Sequence, residues 1–404
     1  MRSTFDRLNF FISGKESILF LLFFFFYFFL LVLFGINRPI WYDERHFVET
    51  IRYFGKTPFF QALYSYEEMS APLPFILFSL WGKLSGFSLI SLRIFNLLIA
   101  FLSYLVIYRF FTTYLNKKVS LLLIIFTTIN PYFAGASIFV FTDMISILFM
   151  FLAFYAVARD NSLLMFFGLS GSLLCRQYLA FLIPSFFIFY LIRLLKAEER
   201  KAALRNVISI SLSCLPLLFL FIYWHGSCPV NETKKLYMDN AFKFHLNAAV
   251  LYLSQVVIYT IPFSIVLSKK VYNNTKILIL SVLLSSIYFF APVKASPAAI
   301  EVSRFTVGYL DRAISILKIK GLSQVVFYAG FLLSIPILLH WIKTIIEKIQ
   351  QNELDIQALV ILTMFTFLLV MPFSYLLWEK YFMPVLPIVL FLFFYKNIRS
   401  DKAV

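Results

Sequence analysis

The chain has 404 residues, 61% of them hydrophobic and 14% charged, with a mean hydropathy of +0.86. A soluble domain carries roughly 25% charged residues and a disordered chain is polar and poor in aromatics, so 52 Phe and 23 Tyr exclude both and point to lipid as solvent. The net charge of +16 does not mark a nucleic-acid binder, because Lys and Arg sit in small groups between apolar runs and form no single basic face.

Runs near the roughly 20 apolar residues needed to cross a bilayer fall at 17–36, 88–111, 119–136, 140–158, 162–175, 178–194, 206–224, 248–267, 277–292, 323–342, 357–377 and 381–395. They predict an all-α polytopic membrane protein with about 12 transmembrane helices in a single domain over 1–404. The first run follows Arg2, Arg7 and Lys15 as a signal peptide would, but no small-residue cleavage site follows it, so it is read as an uncleaved span. Residues 37–87 then form a long first outer loop. Within it the apolar stretch 72–86, interrupted by Pro72, Pro74 and Gly82, predicts a re-entrant or interfacial helix.

Orientation follows from the basic residues. With the N-terminus in the cytoplasm, 20 Lys and Arg lie inside and 16 outside, and the segments Lys196–Arg205 and Lys269–Lys276 are the strongest inner markers. That choice sends 37–87, 225–247 and 293–322 to the outer face, and with them Asp43, Glu44, Asp143, Arg176 and the pair Glu379–Lys380. Ionisable side chains at the edges of apolar spans are costly and mark functional sites. Several on one face suggest a polar cavity turned away from the cytoplasm.

In chain order, the first cluster is Asp43-Glu44-Arg45-His46-Phe47, immediately after the first span. On a helix starting near Asp43, residues 43, 46 and 47 share a face and 44 lies on another, so one carboxylate can face the cavity while the other caps or pairs. Asp43 is equally readable as a helix N-cap. Asp143 opens the fourth span behind Thr142, where a cap is again the bland alternative. Arg176-Gln177 breaks an apolar stretch between two spans, and a guanidinium there suits a phosphate, which it can meet bidentately. Glu379-Lys380-Tyr381 is a similar charged interruption before Pro384. Cys175, Cys214 and Cys228 have neither disulfide-framework nor zinc-site spacing, and His46, His225, His245 and His340 are scattered, so no metal site is expected.

Together these residues resemble the GT-C superfamily of membrane glycosyltransferases, which carry an acidic residue in the first outer loop, here Asp43-Glu44. Asp43-Glu44-x-His46-Phe47 is similar to the protein O-mannosyltransferases and their bacterial relatives. A fuller resemblance is to the dolichyl-phosphate-glucose alpha-1,2-glucosyltransferase family. It rests on Asp43, Glu44 and His46, on Leu92-Arg93-Ile94-Phe95-Asn96-Leu97-Leu98, on Thr142-Asp143, on Arg176-Gln177, and on Glu379, Lys380, Tyr381, Phe382 and Pro384. Two features depart from it: the family's Gly-rich, Asp-containing loop is not reproduced in 225–231, and the polar loop before the tenth span matches poorly.

The resemblance implies a GT-C-type bundle and a hexosyltransferase. It would move a sugar, glucose if the fuller resemblance holds, from a polyprenyl- or dolichyl-phosphate donor to a lipid-linked glycan or other hydroxyl. It further implies Asp43 as general base with inversion, Glu44, Asp143 and His46 orienting the acceptor or the base, and Arg176, Lys380 and Arg304 facing the lipid phosphate. Gln177, Glu379 and Tyr381 are expected to contact substrate. This chemistry requires no metal or cofactor. Membrane lipid is the other expected partner, in a bacterial plasma membrane by preference and an endoplasmic reticulum membrane as the alternative. A polytopic transporter or lipid-linked sugar flippase is the competing reading, and an assembly subunit of a membrane complex a second.

Overall fold

The computed structural model describes residues 15–40, 42–196, 200–229, 243–295, 306–374 and 376–400, so Arg304 and the centres of the outer loops 225–247 and 293–322 lie outside the described residues. Every regular element among the described residues is helical. Six helices are long and apolar enough to cross a membrane: Lys15–Gly35, Leu89–Tyr114, Gln177–Lys196, Arg200–Tyr223, Leu322–Gln351 and Ile356–Phe373. A seventh span is the pair Lys117–Thr128 and Pro131–Ile138, bent by 75°. The bend has a local cause. The Asn130 side chain accepts the Tyr132 N–H and Pro131 occupies the first turn, so a new helix starts there instead of the old one continuing.

The other apolar runs also fall on helices, but shorter ones: Leu73–Ser85, Asp143–Ala158, Ser162–Cys175, Leu246–Ile258 and Thr275–Phe290. The last run, 381–395, is divided between a 3-10 segment, Glu379–Val385, and the helix Leu386–Ser400. The expected spans are thus all helical, while only six or seven have full membrane-crossing length. Caps and prolines set the difference. Asn161 and Asn274 each accept an N–H of the first turn that follows, and Pro262 separates Leu246–Ile258 from the short helix Phe263–Leu267. Residues 72–86 form the expected short helix, Leu73–Ser85, which packs on Tyr42–Lys56.

Burial sorts the helices. Lys15–Gly35 is exposed along most of its length, with Phe25 77% accessible, whereas Asp143–Ala158 is buried along most of its own, as lipid-facing and central helices should be. Asp143–Ala158 packs between Leu89–Tyr114 and Ser162–Cys175. The second contact is close because Gly168 lies against the Ala153 backbone, where an added Cβ would sit 2.5 Å from the Ala153 nitrogen. Small residues serve this purpose where lipid removes the hydrophobic drive for helix association. Gly330 does the same where Leu322–Gln351 meets Leu246–Ile258, and the Ser254 hydroxyl there donates to Phe327 O at 2.9 Å.

The basic-residue bias gives a topology that can be checked. With the three native cysteines replaced, a cysteine at Arg200 is expected to resist a membrane-impermeant thiol reagent in intact cells, and one at Lys318 to react. Labelling at position 200 would reverse the orientation.

Candidate active site

After the first apolar helix the chain enters the helix Tyr42–Lys56, whose buried face carries Glu44, Phe47, Val48 and Ile51. Glu44 is fully buried. Its two oxygens take Arg93 Nε at 2.8 Å and Nη2 at 2.6 Å, and Oε1 also accepts the Val140 N–H at 3.0 Å. Arg93 is equally buried. Its Nη1 donates to the carbonyls of Ile36 at 2.9 Å and Arg38 at 2.7 Å, where the chain leaves the first span. The pair therefore fixes the root of the loop, and Glu44 lies apart from the open side where Asp43 and His46 sit. Phe47, expected beside Asp43 and His46, turns inward with Glu44.

Asp43 is partly exposed and has no hydrogen bond or ion pair among the described residues. One turn further along the same helix, the Phe47 ring lies 6.1 Å from the Phe141 ring and 5.9 Å from the Arg176 guanidinium, which sets this helix against the segment that bears Asp143 and Arg176. Asp143 begins its helix and is nearly buried. Lys380 Nζ stands 3.0 Å from Asp143 Oδ2 and Arg176 Nη2 3.5 Å from the same oxygen. One carboxylate between two cations leaves a local surplus of one positive charge. Arg176 Nη1 also donates to Ser70 Oγ at 3.1 Å, while its buried Nε has no partner among the described residues. Phe47 lies under the Arg176 guanidinium at 5.9 Å and Phe141 under Lys380 at 4.6 Å, which adds cation–π support on dry faces.

Gln177 serves the loop. Its Oε1 accepts the Ala71 N–H at 3.1 Å and its Nε2 donates to Met69 O at 2.7 Å and Ser227 O at 3.3 Å. Glu379 is turned away from Asp143 into a separate nest of donors. Tyr259 Oη donates at 2.6 Å, Tyr132 Oη at 3.1 Å, and the N–H groups of Leu310 and Asp311 at 3.0 and 3.1 Å. Burial pushes this carboxyl up, the four donors pull it down, and the net direction is upward. Glu379 thereby ties the segment 307–311 to the bundle, while its neighbour Lys380 meets Asp143. Tyr381 packs on Tyr178 with ring centroids 5.3 Å apart.

Of the residues singled out from sequence, the fold thus gathers Asp43, His46, Asp143, Arg176, Lys380 and Tyr381. Glu44, Gln177 and Glu379 become fasteners of the surrounding chain. Glu68 and Ser70, which reach His46 and Arg176, were not singled out. The pair Glu67-Glu68 in an outer loop was a readable signal, while Ser70 carried none. Among the described residues no three His, Cys, Asp or Glu side chains gather as a metal-ligand group.

Comparison with known families adds one finding. Residues 69–224, less than half of the chain, match the family model described as dolichyl-phosphate-mannose-protein mannosyltransferase. No curated protein and no solved structure matches the chain. The matched segment contains Ser70, Arg93, Asp143 and Arg176, while their partners Glu44 and Lys380 lie outside it. This match supports a GT-C membrane glycosyltransferase that uses a lipid-linked sugar.

Proposed function

We propose that the protein is an inverting hexosyltransferase. It moves a sugar from a polyprenyl- or dolichyl-phosphate donor to a hydroxyl of a glycan, lipid-linked or otherwise, on the non-cytoplasmic side of its membrane. The observation that carries this reading is a carboxylate with no hydrogen bond or ion pair among the described residues, Asp43, on the helix whose Phe47 packs under Arg176, which with Lys380 forms a cationic pair held on a single Asp143. Such a donor is already activated. The acceptor oxygen forms its bond to the anomeric carbon as Asp43 takes the hydroxyl proton, and the carbon–oxygen bond to phosphate breaks with its electron pair going to the phosphate. The departing polyprenyl phosphate gains negative charge, which Arg176 and Lys380 meet in a site where charge is poorly screened.

Arg176 separates this reading from a turn-marking role. Charge-assisted hydrogen bonds contribute about 1.5–3 kcal/mol, so Arg176→Ala is expected to weaken binding of a short-chain polyprenyl-phosphate sugar by roughly tenfold or more. Arg176→Lys should lose less, since a point charge keeps attraction without the fork geometry. Titration calorimetry on protein in nanodiscs measures both, and wild-type affinity in both variants would sink the phosphate assignment.

A further inference from the structure

His46 lies one turn beyond Asp43 on the open side of the helix Tyr42–Lys56, with its side chain 49% accessible. Its Nδ1 is hydrogen-bonded to Glu68, whose side chain is only 11% accessible. Nε2 has no hydrogen-bond partner among the described residues. The segment bearing Glu68 is pinned on both sides. Tyr66, itself buried, donates its hydroxyl to Ser70 O at 2.9 Å, and Gln177 grips Met69 and Ala71. A carboxylate on so fixed a segment can hold an imidazole in one orientation, as supporting groups do for reactive histidines.

We propose that Glu68 is a positioning residue for His46: it takes the Nδ1–H on its carboxylate and thereby presents Nε2–H as a third positively charged donor to the phosphate of the sugar donor. The proposal rests on the transferase reading above. The His46 ring lies 4.5 Å from the Phe47 ring, and the Arg176 guanidinium lies 5.9 Å from that same ring, so one aromatic side chain joins His46 to a cation already assigned to phosphate. The groups acting on the ring are Glu68 and Asp43, which favour its charged form, and Arg176, which opposes it. On its own helix, Arg45 and Glu49 pair with one another at 3.9 Å in solvent. Burial lowers the imidazole, but the hydrogen bond and charge of Glu68 outweigh it, and the net direction is above the ordinary value of 6.5. A group with a raised value is charged below it, so donor engagement should be full below the His46 transition, and so should transfer while Asp43 stays ionised. Both should fall as pH rises through the His46 transition.

Glu68→Gln keeps the shape and an acceptor oxygen but removes the charge. An opposite charge at this range moves a titration by about 1–3 units, so the variant should shift the alkaline fall of transfer activity down by about one pH unit or more. The chain has four histidines, so 13Cε1-histidine NMR in nanodiscs, assigned with a His46→Gln control, follows the ring itself. The His46 transition should move with the activity, and in the wild type polyprenyl phosphate alone should displace the His46 resonance. An alkaline limb or a His46 titration unmoved by Glu68→Gln overturns the proposal. So does a His46 signal indifferent to polyprenyl phosphate, or a rate that falls toward acid pH along the His46 transition, which would make the ring a base. A wild type that transfers sugar at no pH defeats the transferase reading, and this inference with it.

Discussion

Asp43→Asn is expected to yield a folded protein that binds donor normally and transfers sugar about 10²-fold or more slowly. A general base contributes typically 10²–10⁴-fold to a rate, whereas a helix cap contributes only about 1 kcal/mol of stability. Asp43 lies within the first turn of its helix, where its charge contributes about 0.3–1 kcal/mol, and Asn keeps the shape but cannot accept the proton, so the substitution separates the two roles. The surroundings of Asp43 favour the base. It has no ion pair or hydrogen bond among the described residues, although a carboxylate that served only as a fastener would be expected to have one, as Glu44 does. Transfer rate, thermal stability and donor affinity of the purified variant check this together. Near-normal turnover would remove Asp43 as the base.

Glu44→Gln is expected to fail for a different reason, by loosening the fold. Glu44 and Arg93 are both inaccessible to solvent and joined by two hydrogen bonds. Removing one member of a buried ion pair leaves the other charge unpaired, at a cost of about 3–5 kcal/mol. The damage should concentrate where Arg93 also holds Ile36 and Arg38, at the exit from the first span, and it should reach Asp43 through the displaced helix start. Replacing the partner as well, in Glu44→Gln with Arg93→Met, should recover part of the loss, because no charge is then stranded. Thermal unfolding in detergent distinguishes the two variants. A single variant as stable as wild type would mean that the pair carries no structural weight.

These two neighbouring carboxylates show what the sequence could and could not reveal. The helical period placed 43 and 44 on different faces, and that much follows from local geometry. Which face meets the bundle depends on Arg93, 49 residues away, and on the Val140 N–H, 96 residues away. No local pattern contains such partners. Helix positions were legible for the same reason that their lengths were not. Apolar runs identify helices, but Asn130, Asn161 and Pro262 end or restart them inside or beside those runs. Glu379 shows the same limit. Its place beside Lys380 suggested a shared role, yet the 3-10 turn sends it to Tyr132 and Tyr259 while Lys380 goes to Asp143. Arg176 shows the opposite case, in which a guanidinium between apolar runs is seen to meet a carboxylate, Asp143, at the start of another apolar helix.

The central claim is that this site breaks the bond between a sugar and a lipid phosphate. The most direct measurement incubates purified wild-type protein with a panel of radiolabelled polyprenyl-phosphate hexoses and a glycan acceptor, then follows label, released polyprenyl phosphate and anomeric configuration. For at least one hexose the label is expected to move to an acceptor hydroxyl, with one polyprenyl phosphate freed per sugar moved and the configuration inverted. Donors that bind, or cross a proteoliposome membrane, with the sugar–phosphate bond intact throughout would contradict it and make the protein a carrier.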